Sequence, residues 1–515
     1  MSLFRYKPWM IGLLLAFFGV ATARAQQQTT GDSTDQSSQS SQSSQSSQSS
    51  QSSPANQPDQ SAAPIPAYHS PFGSTADNGD TGDQGQSAQP DTRPLAGAQY
   101  LSLGTLPVSR SYWQPRVDIS GTGDSNPQMN PINPSWGTWG SFLAGADVHD
   151  ISGRNNLTLS YMGGGIYSND NEVASGNVQD LNLADKISFH SGDISFLDQL
   201  NYMPQILYGL GGLPSTGSGT TALGPGFNAG PAILGGVGQS LTNSSVVQLN
   251  VYLSRRSSFT FAGGYSLMQF FNDQLLNSGM LTAQGGYNYQ LTDKDTLSVL
   301  YSFSNFQYMN INQSMYSHTA ELAYARRITS KLAFQIAAGP QFIWFQIPIF
   351  GGAGVPSGSG GVTTPAANPG IQPYWTLNAA AQYQLQKTSF GATYFHGVST
   401  GSGVLAGEIG DTVSAFLARR MSRAFSSGIN AGYTRESGLP IGSPSPSLAN
   451  QTFAYSFVGA SITHPIGETL GLTFSYQLQY QNSNQPFCIG LVCGTSVVRH
   501  LFSVGLDWHE RPLLF

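Results

Sequence analysis

The feature that most constrains this chain is a two-residue alternation of apolar and polar side chains, repeated from Tyr112 to the C-terminus. In the clearest run, 470–480, Leu, Phe and Tyr occupy every even position, and Gly, Thr, Ser and Gln occupy the odd positions. Similar runs cover 259–267, 281–290 and 332–342. Because successive side chains of a β-strand point to opposite faces, each run predicts a strand with apolar surroundings on one side and polar surroundings on the other.

The connections between these runs alternate in length. Short polar turns fall at 152–155, 190–193, 254–257, 292–295, 329–331, 386–389, 421–424 and 464–468. Two of the links between them, 204–243 and 348–373, are very long. Short turns on one side and long loops on the other are typical of outer-membrane barrels, so we predict an all-β, antiparallel up-and-down transmembrane barrel of about 18 strands, with about 16 as the alternative. The barrel is expected to occupy residues 111–515.

The composition agrees with a barrel and disfavours a soluble enzyme. Only 9% of the residues are charged, against about 25% in soluble domains. The chain has 60 glycines and an aromatic share of 11%. A barrel accommodates this composition because its outer face is apolar and its lumen is lined by small polar residues. The net charge of −6 gives no reason to expect nucleic acid as a partner.

The N-terminus carries the features of an exported protein. A basic start and an apolar stretch, 10–21, precede an Ala-Arg-Ala cleavage motif that ends at Ala25. These features predict a signal peptide over 1–25. Residues 26–110 are rich in Ser, Gln, Pro and Gly, with Ser-Ser-Gln repeats within 37–53. Such a composition cannot bury enough apolar surface to offset its ordering entropy, so we expect a disordered periplasmic arm.

With this pattern, residues 112–515 resemble the porin-like class of bacterial outer-membrane barrels. The resemblance implies an outer-membrane location, contact with outer-membrane lipid and the barrel-assembly machinery, and often a homo-oligomer. It also implies that the terminal Phe515 belongs to the signal that the assembly machinery reads. The His-Glu-Arg-Pro segment at 509–512 interrupts the last alternating run. The last strand is therefore expected to end near Trp508, with Phe515 on a short tail.

Few charged residues share the parity of the polar face. Glu321, Arg499 and Asp507 do, and they are the candidate lumen charges. The predicted lining is therefore largely neutral, with hydroxyl and amide groups. Nine basic residues cluster in or beside the short turns, namely Arg255, Arg256, Arg326, Arg327, Lys331, Lys387, Arg419, Arg420 and Arg423. We interpret them as a periplasmic rim, and an anion-attracting vestibule is the alternative.

An unusual pair of carboxylates occurs in one predicted hairpin. Folding the chain about 190–193 places Asp185 opposite Asp198 on the apolar face. Like charges opposite each other are destabilising, and carboxylates facing lipid are costly. Three explanations are open: a register slip that turns one Asp inward, a subunit interface, or a shared proton or cation.

The long loops and the cysteines give two further expectations. Segments 204–243 and 348–373 hold apolar groups among many glycines and no charged residue. They are expected to fold over or into the barrel, or else to pack against neighbouring loops or surface polysaccharide. Cys488 and Cys493 are the only cysteines. Their closeness in an oxidising compartment predicts a disulfide.

The sequence favours a transport function. No His, Ser or acidic residues have spacings that commit them to a nucleophile and its base, and the Gly-rich runs lack the context of a phosphate loop. We therefore predict no enzymatic activity and no catalytic, cofactor or metal site. A pore for small uncharged polar solutes is the favoured function. The alternatives are an exit barrel for polysaccharide or another exported product, and a plugged barrel with a structural or adhesive role.

Overall fold

The computed structural model describes residues 111–168, 175–204, 239–271, 275–311, 313–329, 331–346, 370–399, 407–422, 424–439, 451–489 and 492–515. The predicted signal peptide and N-terminal arm lie outside these residues. Most of the two long loops lies outside them too, so their predicted folding over or into the barrel concerns residues that are not described.

The described residues form eighteen long strands, one two-residue strand and one 3₁₀ turn. They are β1 (Tyr112–Asp124), β2 (Gly137–Ser152), β3 (Asn155–Ser168), β4 (Gly176–Phe189), β5 (Gly192–Met203), β6 (Ser240–Tyr252), β7 (Ser257–Phe270), β8 (Ser278–Thr292), β9 (Asp295–Tyr308), the 3₁₀ turn Met309–Ile311, β10 (Gln313–Thr329), β11 (Leu332–Gln346), β12 (Gln372–Gln384), β13 (Thr388–Ser399), β14 (Glu408–Arg420), β15 (Ser426–Gly438), β16 (Thr452–Ile466), β17 (Leu470–Ile489), β18 (Val492–His509) and β19 (Leu513–Leu514). The prediction of about 18 transmembrane strands is confirmed.

The sheet closes on itself. Every long strand pairs antiparallel with its neighbours in chain order, and β1 pairs with β18 from Arg116 opposite His509 to Asp124 opposite Leu501. Closure leaves no edge strand, so the backbone groups of the wall bond one another, as a membrane interior requires. The predicted up-and-down antiparallel barrel is confirmed. Within the described segments, no helix is long and apolar enough to cross a membrane.

Side chains alternate between an apolar outer face and a polar inner face. On β17, Phe474 and Tyr480 are 50% and 42% exposed, whereas Thr473 and Gln479 are at most 2% exposed. The same two-residue alternation recurs around the wall, with exposed Phe, Tyr, Leu, Ile and Val outside. An apolar belt around a polar interior is the arrangement of a barrel that sits in lipid.

The connections differ at the two ends of the barrel. At one end, here called the turn end, the eight links between paired strands contain two to five residues. Gly153 and Gly467 lie in two of these turns with φ of 59° and 77°. Glycine adopts this left-handed conformation without the clash that a Cβ atom would cause. The longer links lie at the opposite loop end. The start of β1 and the end of β18 are both at the turn end, which faces the periplasm in outer-membrane barrels.

The C-terminal segment rejoins the wall after a short interruption. β18 ends at His509, and β19 then pairs with Tyr112 and Trp113 of β1. Two residues of β1, 114–115, face three of the tail, 510–512, so the extra residue forms a bulge. The backbone N–H of Phe515 donates to the Ser111 carbonyl at 3.3 Å. Phe515 is therefore held at the closing ladder and is not on a separate tail.

The β4–β5 hairpin has a different register from the predicted one. Its turn is two residues shorter, so Asp185 lies opposite Phe196 and Asp198 opposite Leu183. The predicted pairing of Asp185 with Asp198 is therefore wrong. A shift of two residues leaves every side chain on its original face. The explanation that a slip turns one Asp inward is consequently wrong as well, and both carboxylates belong to the outer face.

Candidate functional site: the inner wall of the barrel

The inner face of β1 is a continuous row of polar side chains. The row consists of Gln114, Arg116, Asp118, Ser120, Thr122 and Asp124, each at most 8% exposed. Val117 and Ile119 alternate with them on the outer face, so the period of the strand separates charge from lipid. Together with the inward charged residues of the neighbouring strands, Asp147 of β2 and Arg499 and Asp507 of β18, this row forms the charged sector of the lumen wall.

An ion pair joins the first and last long strands at the loop end of this sector. The Nε of Arg499 lies 3.0 Å and 2.9 Å from the two carboxylate oxygens of Asp124, and its Nη2 also donates to Asp124. Both side chains are at most 1% exposed. The predicted lumen charge Arg499 thus faces inward, but its guanidinium is engaged by a carboxylate of the wall.

Asp118 lies deeper in the same row and has a different environment. Its side chain is 1% exposed, and neither carboxylate oxygen has a hydrogen-bond partner. In the β1–β18 ladder its direct neighbour is Asp507, the second predicted lumen charge. The adjacent cation, Arg116, is directed toward β2 and β3, where it lies 3.4 Å from Asp147 and donates to Ser160 at 2.8 Å.

A second inward network lies near the turn end of β4–β7. Asp193, which is 3% exposed, accepts hydrogen bonds from Asn250 at 2.9 Å and from the Tyr252 hydroxyl at 2.6 Å. The ammonium of Lys186 lies 3.5 Å from the same carboxylate. Thr260 extends the network by donating to Asn250 at 2.8 Å. The inward ammonium of Lys186 therefore also meets a carboxylate.

Neutral hydrogen-bonding groups line much of the remaining inner wall. Their cross-strand contacts include Ser244–Ser266 at 3.1 Å, Thr282–Ser304 at 3.0 Å, Thr393–Ser414 at 2.6 Å and Gln341–Ser317 at 3.0 Å. Opposed hydroxyl and amide pairs of this kind stabilise a sheet and keep its surface polar. The third predicted lumen charge, Glu321, lies on the inward row of β10 between Thr319 and Ala323.

An apolar sector interrupts this polar lining at the loop end of β9–β11. Tyr308, Met315 and Ile343 are at most 1% exposed although they lie on the inward face. Leu439, just after β15, packs in the same cluster. Gly407 is also close, because a Cβ atom there would lie 3.2 Å from the Tyr308 hydroxyl. Protein therefore covers this part of the inner wall.

Most of the inward-facing charged residues were not predicted from the sequence. The residues that were not predicted include Arg116, Asp118, Asp124, Asp147, Lys186, Asp193, Glu408 and Glu436. The two-residue alternation in β1 could have identified some of these charged residues, because Arg116 and Asp118 alternate with the apolar Val117 and Ile119. The largely neutral lining predicted from the sequence is thus incomplete, since acidic and basic side chains are present and several of them are paired.

The two outer-face carboxylates have different surroundings. Asp198 lies midway along β5 and accepts hydrogen bonds from Asn243 at 3.1 Å and from the Ser245 hydroxyl. Asp185 is half-buried closer to the turn end, and one of its oxygens has no hydrogen-bond partner. The two groups do not face each other, so no direct carboxylate pair exists on this surface.

The remaining predicted features concern the rim and the cysteines. Arg326 at the turn end is exposed and lies 3.5 Å from Asp295, as expected for a solvated rim. Cys488 and Cys493 are directly opposite in the β17–β18 ladder. Directly opposed strand residues have the Cα separation that a disulfide needs, and the disulfide stays a prediction. Among the described residues, no group of three or more His, Cys, Asp or Glu side chains could hold a metal ion.

Comparison with known proteins gives only distant likenesses. No family model matches the chain, and neither does any curated protein. Among solved structures, the outer membrane protein OpdK from Pseudomonas aeruginosa has 8% identity and a TM-score of 0.38, over 77% of this chain and 99% of that one. OccK9 (OpdG) from the same organism has 11% identity and a TM-score of 0.37, over 79% and 99%. OccAB3 from Acinetobacter baumannii has 8% identity and a TM-score of 0.36, over 78% and 100%.

The architecture of the chain follows from its own strands and not from these distant likenesses. Eighteen long antiparallel strands close on themselves, with exposed apolar side chains outside and polar side chains inside. These features together give the chain the architecture of the porin-like class of outer-membrane β-barrels.

Proposed function

We propose that this barrel is an outer-membrane pore for small polar solutes and that uncharged solutes pass more readily than anions. The main support for the proposal is that the inward-facing cations are already paired with carboxylates. Arg116, Lys186 and Arg499, the described basic side chains that face inward between the two rims, each lie within 3.5 Å of a carboxylate. An anion gains little from a cation that a carboxylate of the wall already neutralises.

The neutral part of the wall supports the preference for uncharged solutes. Hydroxyl and amide groups on β6–β8 and β10–β14, such as Ser266, Thr282 and Gln341, can exchange hydrogen bonds with one another for hydrogen bonds with a solute. Weak, repeated contacts of this kind let a solute enter and leave again, as conduction requires.

Proteoliposome swelling tests this proposal directly. Residues 26–515 are reconstituted, and swelling is compared for glucose and for gluconate, which has similar size but one negative charge. We expect faster swelling in glucose than in gluconate. Equal or faster entry of gluconate would contradict the preference, and absence of swelling with every small solute would contradict the pore itself.

A plugged barrel is the second candidate, and the apolar sector favours it. Met315 and Ile343 face the lumen and are nevertheless fully buried, with Leu439 packed in the same cluster. Single-channel recording of the intact chain and of a variant lacking 205–238 and 347–369 separates the two functions. Steady openings from the intact chain support a pore, and silence followed by large conductance after the deletion supports a plug. No feature of the described residues points to an exit barrel for an exported product.

We also propose what surrounds the barrel. Outer-membrane lipid would cover the apolar belt, and residues 26–110 would extend into the periplasm from the turn end, where β1 begins. The barrel-assembly machinery would read the C-terminal segment around Phe515. A second copy of the chain would cover the outer face around Asp198, because a carboxylate midway across the belt is costly against lipid.

A further inference from the structure

Within the described part of the chain, one basic side chain lies on the outer face in the loop half of the barrel. It is Arg435 of β15, which is exposed and shares its face with Tyr433, 43% exposed. Of the other described Lys and Arg residues, only Arg499 also lies in the loop half, and it faces inward. A guanidinium that faces lipid is costly in the apolar part of a membrane. Its cost therefore depends on how deep Arg435 lies and on what meets it there.

Arg435 lies at the edge of the apolar belt and not at its centre. The strand β15 has 13 residues, and a strand of this length tilted by about 40° spans about 33 Å across a membrane. The apolar band of such a barrel is only about 25 Å tall. Arg435 is close to the loop-end terminus of β15 at Gly438. Because the turn end faces the periplasm, Arg435 lies at the level of the headgroups of the outer leaflet.

Three side chains of neighbouring strands form a row with Arg435 on the outer face. Asp411 of β14 is directly opposite Arg435, and His396 of β13 is directly opposite Asp411. The ring of Trp375 on β12 stacks on His396 with centroids 3.8 Å apart, and Trp375 is 52% exposed. All four residues are equally far from the loop-end termini of their strands. We call these four residues the outer row.

The outer row keeps an acceptor and a donor available on its surface. Tyr394 donates to Oδ1 of Asp411 at 2.7 Å, and Nδ1 of His396 lies 2.9 Å from the same oxygen. Oδ2 has no hydrogen-bond partner among the described residues, and the Asp411 side chain is 43% exposed. Arg435 acts on Asp411 through its charge, but its guanidinium makes no hydrogen bond or ion pair with a described residue. Both groups therefore retain hydrogen-bonding capacity for a ligand.

We propose that the outer row binds the phosphorylated sugar headgroup of a glycolipid in the outer leaflet. A guanidinium binds phosphate through paired, charge-assisted hydrogen bonds, which is the role of Arg435. A carboxylate oxygen accepts hydrogen bonds from sugar hydroxyls, which is the role of Asp411. The exposed ring of Trp375 offers a flat surface to the apolar face of a sugar ring. A phosphorylated sugar combines these three chemical features.

The charges of the outer row distinguish this ligand from a simple anion. Opposed side chains in a ladder have Cβ atoms about 5 Å apart, so Asp411 repels a bare phosphate that approaches Arg435 closely. A sugar carries its phosphate and its hydroxyls at different positions, so that the phosphate can reach Arg435 while a hydroxyl reaches Asp411. The inference rests on the proposed outer-membrane surroundings. It is independent of the transport proposal, because the outer row faces away from the lumen.

Native mass spectrometry of residues 26–515 in detergent tests the site. The probes are lipid A, whose headgroup is a phosphorylated glucosamine disaccharide, and the same lipid with its phosphates removed. We expect one molecule of lipid A to bind more tightly than any further one, and the dephosphorylated lipid to bind about tenfold less tightly. Arg435→Gln should weaken the binding of lipid A by a similar factor. Trp375→Ala should weaken the binding of both lipids.

Arg419→Gln is the matched control. Arg419 is an exposed residue near the turn end of β14, so this variant removes the same charge from the opposite end of the wall. It should bind lipid A as the wild type does. The heat-modifiable gel shift shows whether each variant is folded. If Arg435→Gln does not fold, the comparison of the two lipids on the wild type still decides whether phosphate is recognised.

Several results would overturn the proposal. They are a wild type without a preferred molecule of lipid A, equal affinities for the two lipids, and variants of Arg435 and Trp375 that bind lipid A as the wild type does. Equally tight binding of phosphatidylethanolamine would show that the sugar is not recognised. Binding in detergent depends neither on the location of the protein in the cell nor on conduction. A negative result would therefore leave the proposed surroundings and the proposed pore standing.

Discussion

The guanidinium of Arg499 holds the carboxylate of Asp124 with two donor nitrogens, and the two residues are 375 positions apart in the sequence. Both side chains are buried in the wall, one on the last long strand and one on the first. This contact can form only when the sheet closes, because it joins the first and the last of the eighteen long strands.

Removing one member of this pair should destabilise the closed barrel. We expect Asp124→Ala to lower the free energy of unfolding by about 3 kcal/mol, because Arg499 then stays buried without its partner. Urea unfolding in detergent, followed by the gel shift between folded and unfolded barrel, measures the change. The double variant Asp124→Ala with Arg499→Met is the control and should lose less, since it leaves no buried charge. An equal loss in both variants would argue against the ion pair as the cause.

Freeing Arg116 should alter ion selectivity. Asp147 lies 3.4 Å from the Arg116 guanidinium. Asp147→Asn removes this carboxylate and leaves the positive charge of the guanidinium less compensated. We expect the chloride-to-potassium permeability ratio to rise, measured as a shift of the reversal potential in a salt gradient. Asp295→Asn, at the exposed turn end, is the control and should shift the potential less. Unchanged selectivity in Asp147→Asn would remove the argument that paired cations disfavour anions.

Gly339 should tolerate no side chain. A Cβ atom on Gly339 would lie 1.7 Å from the Ala320 carbonyl oxygen on the neighbouring strand. A Cβ atom on Gly121 would have no other atom within 4 Å. We expect Gly339→Ala to reduce strongly the yield of folded barrel. Gly121→Ala should change stability by no more than about 0.5 kcal/mol. The heat-modifiable gel shift reports folding of both variants, and equal behaviour would contradict the close approach of β10 and β11.

The outer face around Asp198 should control association. Asn243 and Ser245 donate to this carboxylate in the middle of the belt. If a second copy covers the site, Asp198→Leu should dissociate the oligomer in mild detergent while leaving each barrel folded. Ile462→Leu, on the exposed outer face of β16, is the control. Light scattering gives the mass, and an unchanged mass in Asp198→Leu would place any interface elsewhere.

The two cysteines should be unreactive in the exported protein. Their backbone positions oppose each other in the β17–β18 hairpin. We expect a maleimide-coupled polymer to modify neither residue until a reductant is added, and both afterwards. Cys488→Ser should make Cys493 reactive without reductant. Modification of the wild type before reduction would mean that no disulfide forms.

The strand pattern was predictable because it depends on local order. The alternation in 470–480 needs only the period of a strand, and β17 begins at Leu470 as that run does. Short turns such as 152–155 were visible from their polar residues and match the link between β2 and β3. That Arg499 and Asp507 face inward was also predictable, because it follows from the alternation along a single strand.

The pairing between strands was less predictable, because small changes in a turn move it. The β4–β5 turn is two residues shorter than its sequence suggested, which separates Asp185 from Asp198. The tail after His509 rejoins β1 through a bulge, although its Pro and charged residues suggested that the strand had ended. In both places the neighbouring strand determines the outcome, and a single segment carries no information about its neighbour's register.

The sequence by itself determined the barrel, its approximate strand number and the face of most side chains, since each depends on residues close together in the chain. Only the tertiary structure decided which charges meet. Asp124 pairs with Arg499, Arg116 pairs with Asp147, and Asp118 lies opposite Asp507. The physical reason is closure: β1 and β18 become neighbours only when the last strand returns to the first, and electrostatic contacts depend on distance in space, not on distance along the chain.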